Sequence, residues 1–560
     1  MTNPLSVRLR CRHVVASLAL TALAASTFAY AGDYSRGPDF HFWPGNLVVS
    51  RSVYDNKPSN VQVGTILPVN CAATTGGCGA ATGAPYDGTY PYVWNDVLYD
   101  ANFGITSRIY LDQITPNGWL LNSLEVPNSL LPAAMAGQLV TSFSSKSEIG
   151  LHLSLNRKYL TFMGYVAPVN AIDVSNSNTP GAVDPTNPVG QSFYRAIATV
   201  DGRGRFSFTE TNAYSGNNGR AAILNDRNGG NYFYTSGNAG NGSNPQPDGV
   251  ILGAGAQFVT PTSLPELSQS PGANTPVASF SVAALGQKAD KIGKDDNFRG
   301  MTVFNNVLYF TKGSGSNGVN TVYFVETTGT ACPSGVGVPV AGAALPSEPL
   351  SYNAATLQTS GLPTNMCVLA GFPSTPNKSA NPLAFPFALW FADANTLYVA
   401  DEGDGYTGGT DLYTHAAAQT TAGLQKWVFN ATTNSWTLAY TLQAGLGLGQ
   451  AYSVRDYPTG TNPGTNLPWS PATDGLRNLT GRVDSDGRVT IWAVTSTISG
   501  NGDVGADPNR LVAIRDELKN VSAAGASREK FTTLRAAGFA EVLRGVSFTP
   551  DTDAGHSGLH

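Results

Sequence analysis

Four arginines in comparable settings carry the chain's clearest potential for chemistry. Arg299-Gly300-Met301-Thr302, Arg477-Asn478-Leu479-Thr480 and Arg544-Gly545-Val546-Ser547 repeat one pattern, Arg-Gly/Asn-apolar-Ser/Thr. Arg220 precedes a fourth apolar run, Ala221-Ala222-Ile223-Leu224. A guanidinium fork matches the oxygens of carboxylate, phosphate or sulfate, so arginines converging on one mouth would bind an anion. The same recurrence has a structural reading. Each arginine pairs with a carboxylate or carbonyl of a neighbouring unit, and such a role repeats with every unit while a single ligand does not.

Carboxylates supply the other half of the candidate chemistry. Glu148, Asp401 and Glu402 are the groups from which a hydrolase or lyase would draw an acid/base pair, with an anionic polysaccharide as substrate. His152 is a base by residue type. It sits inside the alternating run Leu151-His152-Leu153-Ser154-Leu155, a pattern that fits a packed histidine. The segment Asp401-Glu402-Gly403-Asp404-Gly405, with Asp411 beyond, gathers carboxylates around glycines that turn tightly. Calcium, which takes six or more oxygens, suits such a loop, although the spacing is not that of an EF-hand. A solvated acidic loop is the alternative. Asp484-Ser485-Asp486-Gly487 resembles a calcium loop only superficially, because strands flank it and a hairpin turn accounts for it. Nucleophile-elbow, His-Glu-x-x-His and phosphate-loop motifs are absent, so no cofactor is expected beyond calcium. The eight tryptophans and many tyrosines are either sugar-stacking platforms or blade packing.

These residues need elements to position them, and the repeat itself names the elements. After two of the arginine motifs a polar turn leads into an aromatic strand, Val307-Leu308-Tyr309-Phe310 or Val489-Thr490-Ile491-Trp492. Phe387-Ala388-Leu389-Trp390 followed by Leu397-Tyr398-Val399 is a looser copy. Radial repetition of a strand-turn-strand unit indicates an all-β fold, a single β-propeller. Further hairpins join Leu151–Leu155 to Tyr159–Met163 and Arg220–Leu224 to Tyr232–Tyr234. Counting gives six blades, or seven if irregular spacing hides one. Gly545–Thr549 opens a blade just before the chain stops, and Asn46–Ser50 lacks a preceding partner. Pairing the C-terminal strand with the N-terminal strands closes the ring and removes two exposed edges. One short helix is expected around Ser527–Ala537. The Gly/Asn/Pro-rich stretches 166–190, 236–249, 327–384, 402–422 and 443–475 read as connections. In a propeller, residues entering an inner strand and leaving the next one share a face. That rule puts Glu148, Arg220, Arg299, Arg477 and Arg544 together, joined by Tyr165, Lys312, Asp401 and Glu402.

Composition bounds the setting. Arg8, Arg10 and Arg12 precede the apolar run Val14–Ala25, and Ala29-Tyr30-Ala31 fits a signal cleavage site. Residues 1–31 therefore read as a signal peptide and 32–560 as one propeller domain, secreted or periplasmic, with no membrane span after cleavage. Cleavage removes three positive charges, leaving 30 Lys+Arg against 38 Asp+Glu, a net charge of −8. A mildly acidic chain without a basic run is a poor partner for nucleic acid. An extracellular glycan or protein is the expected partner. Cys71, Cys78, Cys332 and Cys367 remain, and exported chains favour disulfides, here Cys71–Cys78 and Cys332–Cys367.

Several segments also resemble a known group of proteins. Gly45–Val49, Tyr214–Asn218, Asn395–Asp401, Gly423–Trp427 and Arg544–Pro550, in that order, are similar to a family of exported bacterial β-propeller proteins. The similarity spans about residues 45 to 550, and its most specific parts are Leu397-Tyr398-Val399-Ala400-Asp401 and the terminal motif. Many members carry a C-terminal membrane-sorting tail that this chain lacks, which implies release rather than surface retention. The Cys71–Cys78 loop stands out from the family pattern as an insertion. The resemblance implies fold and export and carries over no catalytic residues. Two functions follow as expectations: a non-enzymatic binding propeller engaging its ligand at the arginine face, or a glycan hydrolase or lyase acting there.

Overall fold

A computed structural model describes residues 40–54, 64–65, 104–129, 139–143, 145, 147–180, 189–238, 255–261, 297–313, 318–348, 365–375, 384–457, 459–462, 466–500 and 504–553. The expected signal segment and the Cys71–Cys78 pair lie outside these residues.

Alternating apolar hairpins fold into six small sheets whose pairings are antiparallel, except for one short parallel pair. Each sheet is a blade, and its first strand faces the axis. These inner strands are Glu541–Phe548 in blade 1, His152–Leu153 in blade 2 and Gly219–Asn225 in blade 3. Phe298–Phe304, Pro386–Asp393 and Ala472–Val483 serve blades 4, 5 and 6. Successive inner strands touch around the whole ring. The chain closes as expected. Leu47–Val53 pairs with Glu541–Phe548 on one side and Thr106–Ile114 on the other, so blade 1 is shared between the two ends of the chain.

Packing between blades uses aromatic side chains of both the first and the second strands. Phe391 of blade 5 stacks on Phe304 of blade 4, with ring centroids 4.5 Å apart, and meets Tyr309 at 4.7 Å. Between blades 5 and 6 the buried Lys426 ammonium lies 2.8 Å from Asp516, whose carboxylate also accepts from the Tyr440 hydroxyl at 2.6 Å and from Tyr398. A buried pair so fully hydrogen-bonded keeps its charges satisfied.

A second device joins the blades near the axis. Ser50, Thr161, Ser236 and Thr311 each sit on a second strand and donate a hydroxyl to a backbone carbonyl of the next blade, at Ile149, Ala222, Arg299 and Phe387 respectively. Glycine in the arginine motif belongs to the same close approach. A Cβ on Gly300 would lie 2.2 Å from the Phe387 carbonyl oxygen, and one on Gly545 would lie 2.5 Å from that of Ile149. In the remaining copy, at Arg477, Asn478 replaces glycine and its side-chain amide donates to the Arg544 carbonyl at 2.8 Å.

The helix expected at Ser527–Ala537 does not form. Residues 523–528 are turns, and Thr532–Ala536 is the outer strand of blade 6, paired with Arg510–Glu517. Edge pairing outweighs the helical propensity of an eleven-residue stretch, which is too short to hold a helix alone. A seven-residue α-helix appears instead at Leu412–Ala418, in a stretch read as a connection, where Leu412 and Ala416 bury against Leu467, Ala472 and Ile498. The hairpin turn at Asp484–Gly487 forms as expected, and so does the Cys332–Cys367 disulfide, with Cα atoms 6.2 Å apart. Among the described residues no helix is long and apolar enough to cross a membrane.

Candidate functional site

The inner strands carry chemistry at both ends of the ring, and the two ends differ. At the first end the four recurrent arginines are all buried, none more than 5% exposed. Glu402 lies between two of them, 3.4 Å from Arg299 and 3.3 Å from Arg477. Arg220 donates to the Phe298 carbonyl at 2.7 Å and to the Asn297 side chain. Burial pulls the Arg220 guanidinium well below its ordinary pKa. The charge of Arg299 adds to that, while Glu402 and Glu148 oppose it. Arg544 stands apart from Glu402. It donates to the Ser52 hydroxyl at 3.1 Å and to the backbone carbonyls of Ser142, Phe143 and Ser145.

The carboxylates expected to serve as acid and base are committed as acceptors. Glu148 accepts from the Thr141 hydroxyl at 2.5 Å, the Ser142 backbone N–H at 2.8 Å, the Asn218 amide at 3.5 Å and the Tyr165 hydroxyl. Burial first, and then the neighbouring Glu148 charge, push the Tyr165 phenol well above its usual range. Asp401 accepts from the backbone N–H groups of Phe385 and Gly403 at 2.9 and 3.0 Å and from the Gln425 amide at 3.3 Å. Burial raises its pKa to about 6 despite those donors. Lys312 donates to Asn320 of its own blade.

The acidic loop spends its carboxylates locally. Asp404 bonds His415 of the short helix at 2.6 Å, and Asp411 accepts from the Tyr406 hydroxyl at 3.2 Å. Asp474, from blade 6, accepts the Gly405 N–H at 2.9 Å. Among the described residues, no three of Asp401, Glu402, Asp404 and Asp411 bring their carboxylate oxygens into one cluster. The one such grouping among the described residues is Glu326 with Cys332 and Cys367, and the disulfide consumes both thiols.

Topology thus gathers Glu148, Tyr165, Arg220, Arg299, Arg477, Asp401 and Glu402 at one end of the ring. Sequence reasoning missed Arg195, fully buried beneath this layer, whose guanidinium lies 5.2 Å from the Tyr165 ring centroid and donates to carbonyls at Ser175, Ser177, Phe193 and Asn217. An arginine opens a third strand in only one other blade of the described sheets, at Arg510 of blade 6, so the signal for it is thin.

The opposite end is open. An axial channel of about 180 Å³ begins just beneath the arginine layer, at Met301, Asn478 and Val546, and runs to the hairpin turns of the inner strands. All six inner strands line it. His152 stands in its wall, its Nε2–H donating to the Met301 carbonyl at 2.9 Å, and burial lowers its pKa to about 4. Arg157 and Arg227 occupy the channel rim, in equivalent hairpin turns of blades 2 and 3. The signal for them was present, since Asn156-Arg157 and Asp226-Arg227 repeat a turn, but attention to strand entries passed over strand exits.

No family model and no curated protein matches the chain. Among solved structures it is similar to one described as a new family of polysaccharide lyase, an ulvan lyase, at 10% identity. That match covers 87% of this chain and 97% of the other, with a TM-score of 0.24. A superposition of that quality supplies no residue correspondence, and no site is carried over from it.

Proposed function

We propose that this protein is an exported, non-enzymatic β-propeller that binds an extracellular ligand or partner at an axial face of the ring. One observation carries the reading: the carboxylates nearest the arginines are consumed as acceptors inside the ring. Glu402 is held by Arg299 and Arg477, Glu148 by four donors and Asp401 by two backbone N–H groups and Gln425. A general acid or base must reach a substrate proton, and these groups are turned to their own neighbours and buried. The four recurrent arginines are themselves buried, none more than 5% exposed, so their guanidiniums face the interior of the ring. Export rests on the basic-then-apolar first 31 residues.

The test is a thermal-shift panel of acidic and neutral oligosaccharides, with calcium and EDTA as separate arms and product analysis on each sample. A ligand of the native state raises the melting temperature by mass action. Stabilisation by a glycan whose chain length stays constant is the expected result. Progressive shortening of the glycan, or new unsaturated ends, would replace this reading with a hydrolase or lyase.

A further inference from the structure

We infer that the open end of the axial channel, together with the groove beside it, binds an acidic oligosaccharide, its terminal ring seated in the channel and the following residues lying in the groove. The inference rests on the binding reading above and locates it at the end opposite the recurrent arginines.

Size comes first. A cavity of about 150 Å³ admits a benzene molecule. The channel, at about 180 Å³, therefore has volume enough for one six-membered ring. Chemistry comes second. The hydroxyls of Thr302, Thr480 and Ser547 line the channel and make no hydrogen bond among the described residues. Half-buried Phe304, stacked on Phe391, and Trp390, packed over Gly481, leave part of their apolar surface along the same space. Sugars present hydroxyls at the ring edge and C–H groups on the ring faces, so hydroxyl partners and aromatic surface together suit a pyranose.

Charge comes third. Arg227 is exposed at the rim and forms no ion pair among the described residues. Partial burial lowers the pKa of Arg157, and the charge of Arg227, which lines the same rim, adds to that, while the one carboxylate partner of Arg157 is the exposed Asp553, 3.3 Å away. An anion between the two guanidiniums would relieve that repulsion.

Continuity comes fourth. A groove of about 540 Å³ opens on the same face, lined in part by Trp43, Lys158, Tyr159, Arg203 and Asp551. Lys158 follows Arg157 directly, and the Asp551 N–H donates to the Arg157 carbonyl at 2.8 Å, so groove and channel rim share a wall. Trp43 is 50% exposed there, and Lys158 and Arg203 form no ion pair among the described residues. Arg205 is matched by Asp201 at 2.6 Å. Cations along a path and an exposed indole beside it describe a polyanionic sugar chain better than a neutral one.

The experiment is isothermal titration of the mature protein with trigalacturonate and with its methyl ester, the neutral counterpart. Two variants accompany it: Arg227→Ala/Lys158→Ala/Arg203→Ala at the rim and groove, and Thr302→Val/Thr480→Val in the channel. Melting temperatures confirm that both variants are folded. The acid should bind more tightly than the ester, and added salt should narrow the difference. The rim variant should lose about tenfold or more in affinity for the acid, and the hydroxyl variant should lose affinity for both probes. Equal affinity for acid and ester, an unaffected rim variant, or binding of neither probe would overturn this site assignment and leave the binding reading intact. Shortening of the bound probe would overturn the non-enzymatic reading while leaving the site in place.

Discussion

At one end of the ring the charges are buried and matched; at the other they are exposed and largely unmatched. Arg299 and Arg477 share Glu402 inside the fold, whereas Arg227, Lys158 and Arg203 stand at the surface without ion-pair partners among the described residues. The difference shows that an arginine recurring in four of the six blades is read more safely as architecture than as recognition. Burial makes a guanidinium expensive unless the fold supplies carboxylates or carbonyls to it, which is a structural demand that repeats wherever the strand entry repeats. Arginine outside the strand repeat is under no such constraint.

The sharpest way to break this comparison is Glu402→Ala. Removing the shared carboxylate strands two buried guanidiniums, and loss of one partner of a buried pair costs about 3–5 kcal/mol. Chemical denaturation should show a loss of that size with no change in glycan affinity. A loss below about 1 kcal/mol would mean that the arginine layer is not structural.

The next effect separates the two ends by pH. Asp401 titrates near pH 6 in the folded ring against 3.8 in its ordinary state, because burial disfavours its charged form. The folded state holds that proton longer, so its contribution is fully present below about pH 4 and is lost as pH rises through about 6. A shift of about two units corresponds to roughly 3 kcal/mol. The difference in stability between wild type and Asp401→Asn should therefore move in favour of the variant between pH 4 and 6. A flat difference curve would place the Asp401 charge in a better-solvated setting than the fold indicates.

His152 in the channel works in the opposite sense over the same window. Its folded pKa, about 4, lies below the ordinary 6.5, so its contribution is present above 6.5 and is lost as pH falls through 4. His152→Gln should retain more of its stability on acidification than wild type does. The two slopes oppose one another in the intact protein, and single variants followed by denaturation across the pH range resolve them.

The smallest stability effect belongs to Arg227→Ala, an exposed substitution at the channel rim. Its melting temperature should stay close to that of wild type, while its affinity for an acidic glycan falls. A marked drop in melting temperature would erase the distinction between the two ends.

Much of this fold was legible in the chain. Arg299, Arg477 and Arg544 mark strand entries, and the aromatic runs after two of them mark the returning strands. Leu47–Val53 and Glu541–Phe548 could be paired in advance because each lacked a local partner. Thr532–Ala536 was misread because five residues hold neither a strand nor a helix by themselves, and only the neighbouring edge at Arg510–Glu517 decides between them. The convergence of Glu148, Tyr165, Arg220 and Glu402 followed from topology. Their mutual satisfaction did not, since hydrogen-bond partners such as Thr141, Ser142 and Asn218 come from segments with no repeat.

The sequence by itself determined an all-β ring of repeated hairpins, its closure by the two ends of the chain, and which residues enter the axis. Those properties depend on local alternation, turn residues and spacing, all written along the chain. Only the tertiary structure decided that the arginines at one end of the axis are buried and share a carboxylate. That outcome depends on whether Glu402 of blade 5 reaches Arg299 of blade 4 and Arg477 of blade 6, and on how much space six inner strands leave between them. Burial and channel width are properties of several blades at once, and no single stretch of sequence encodes them.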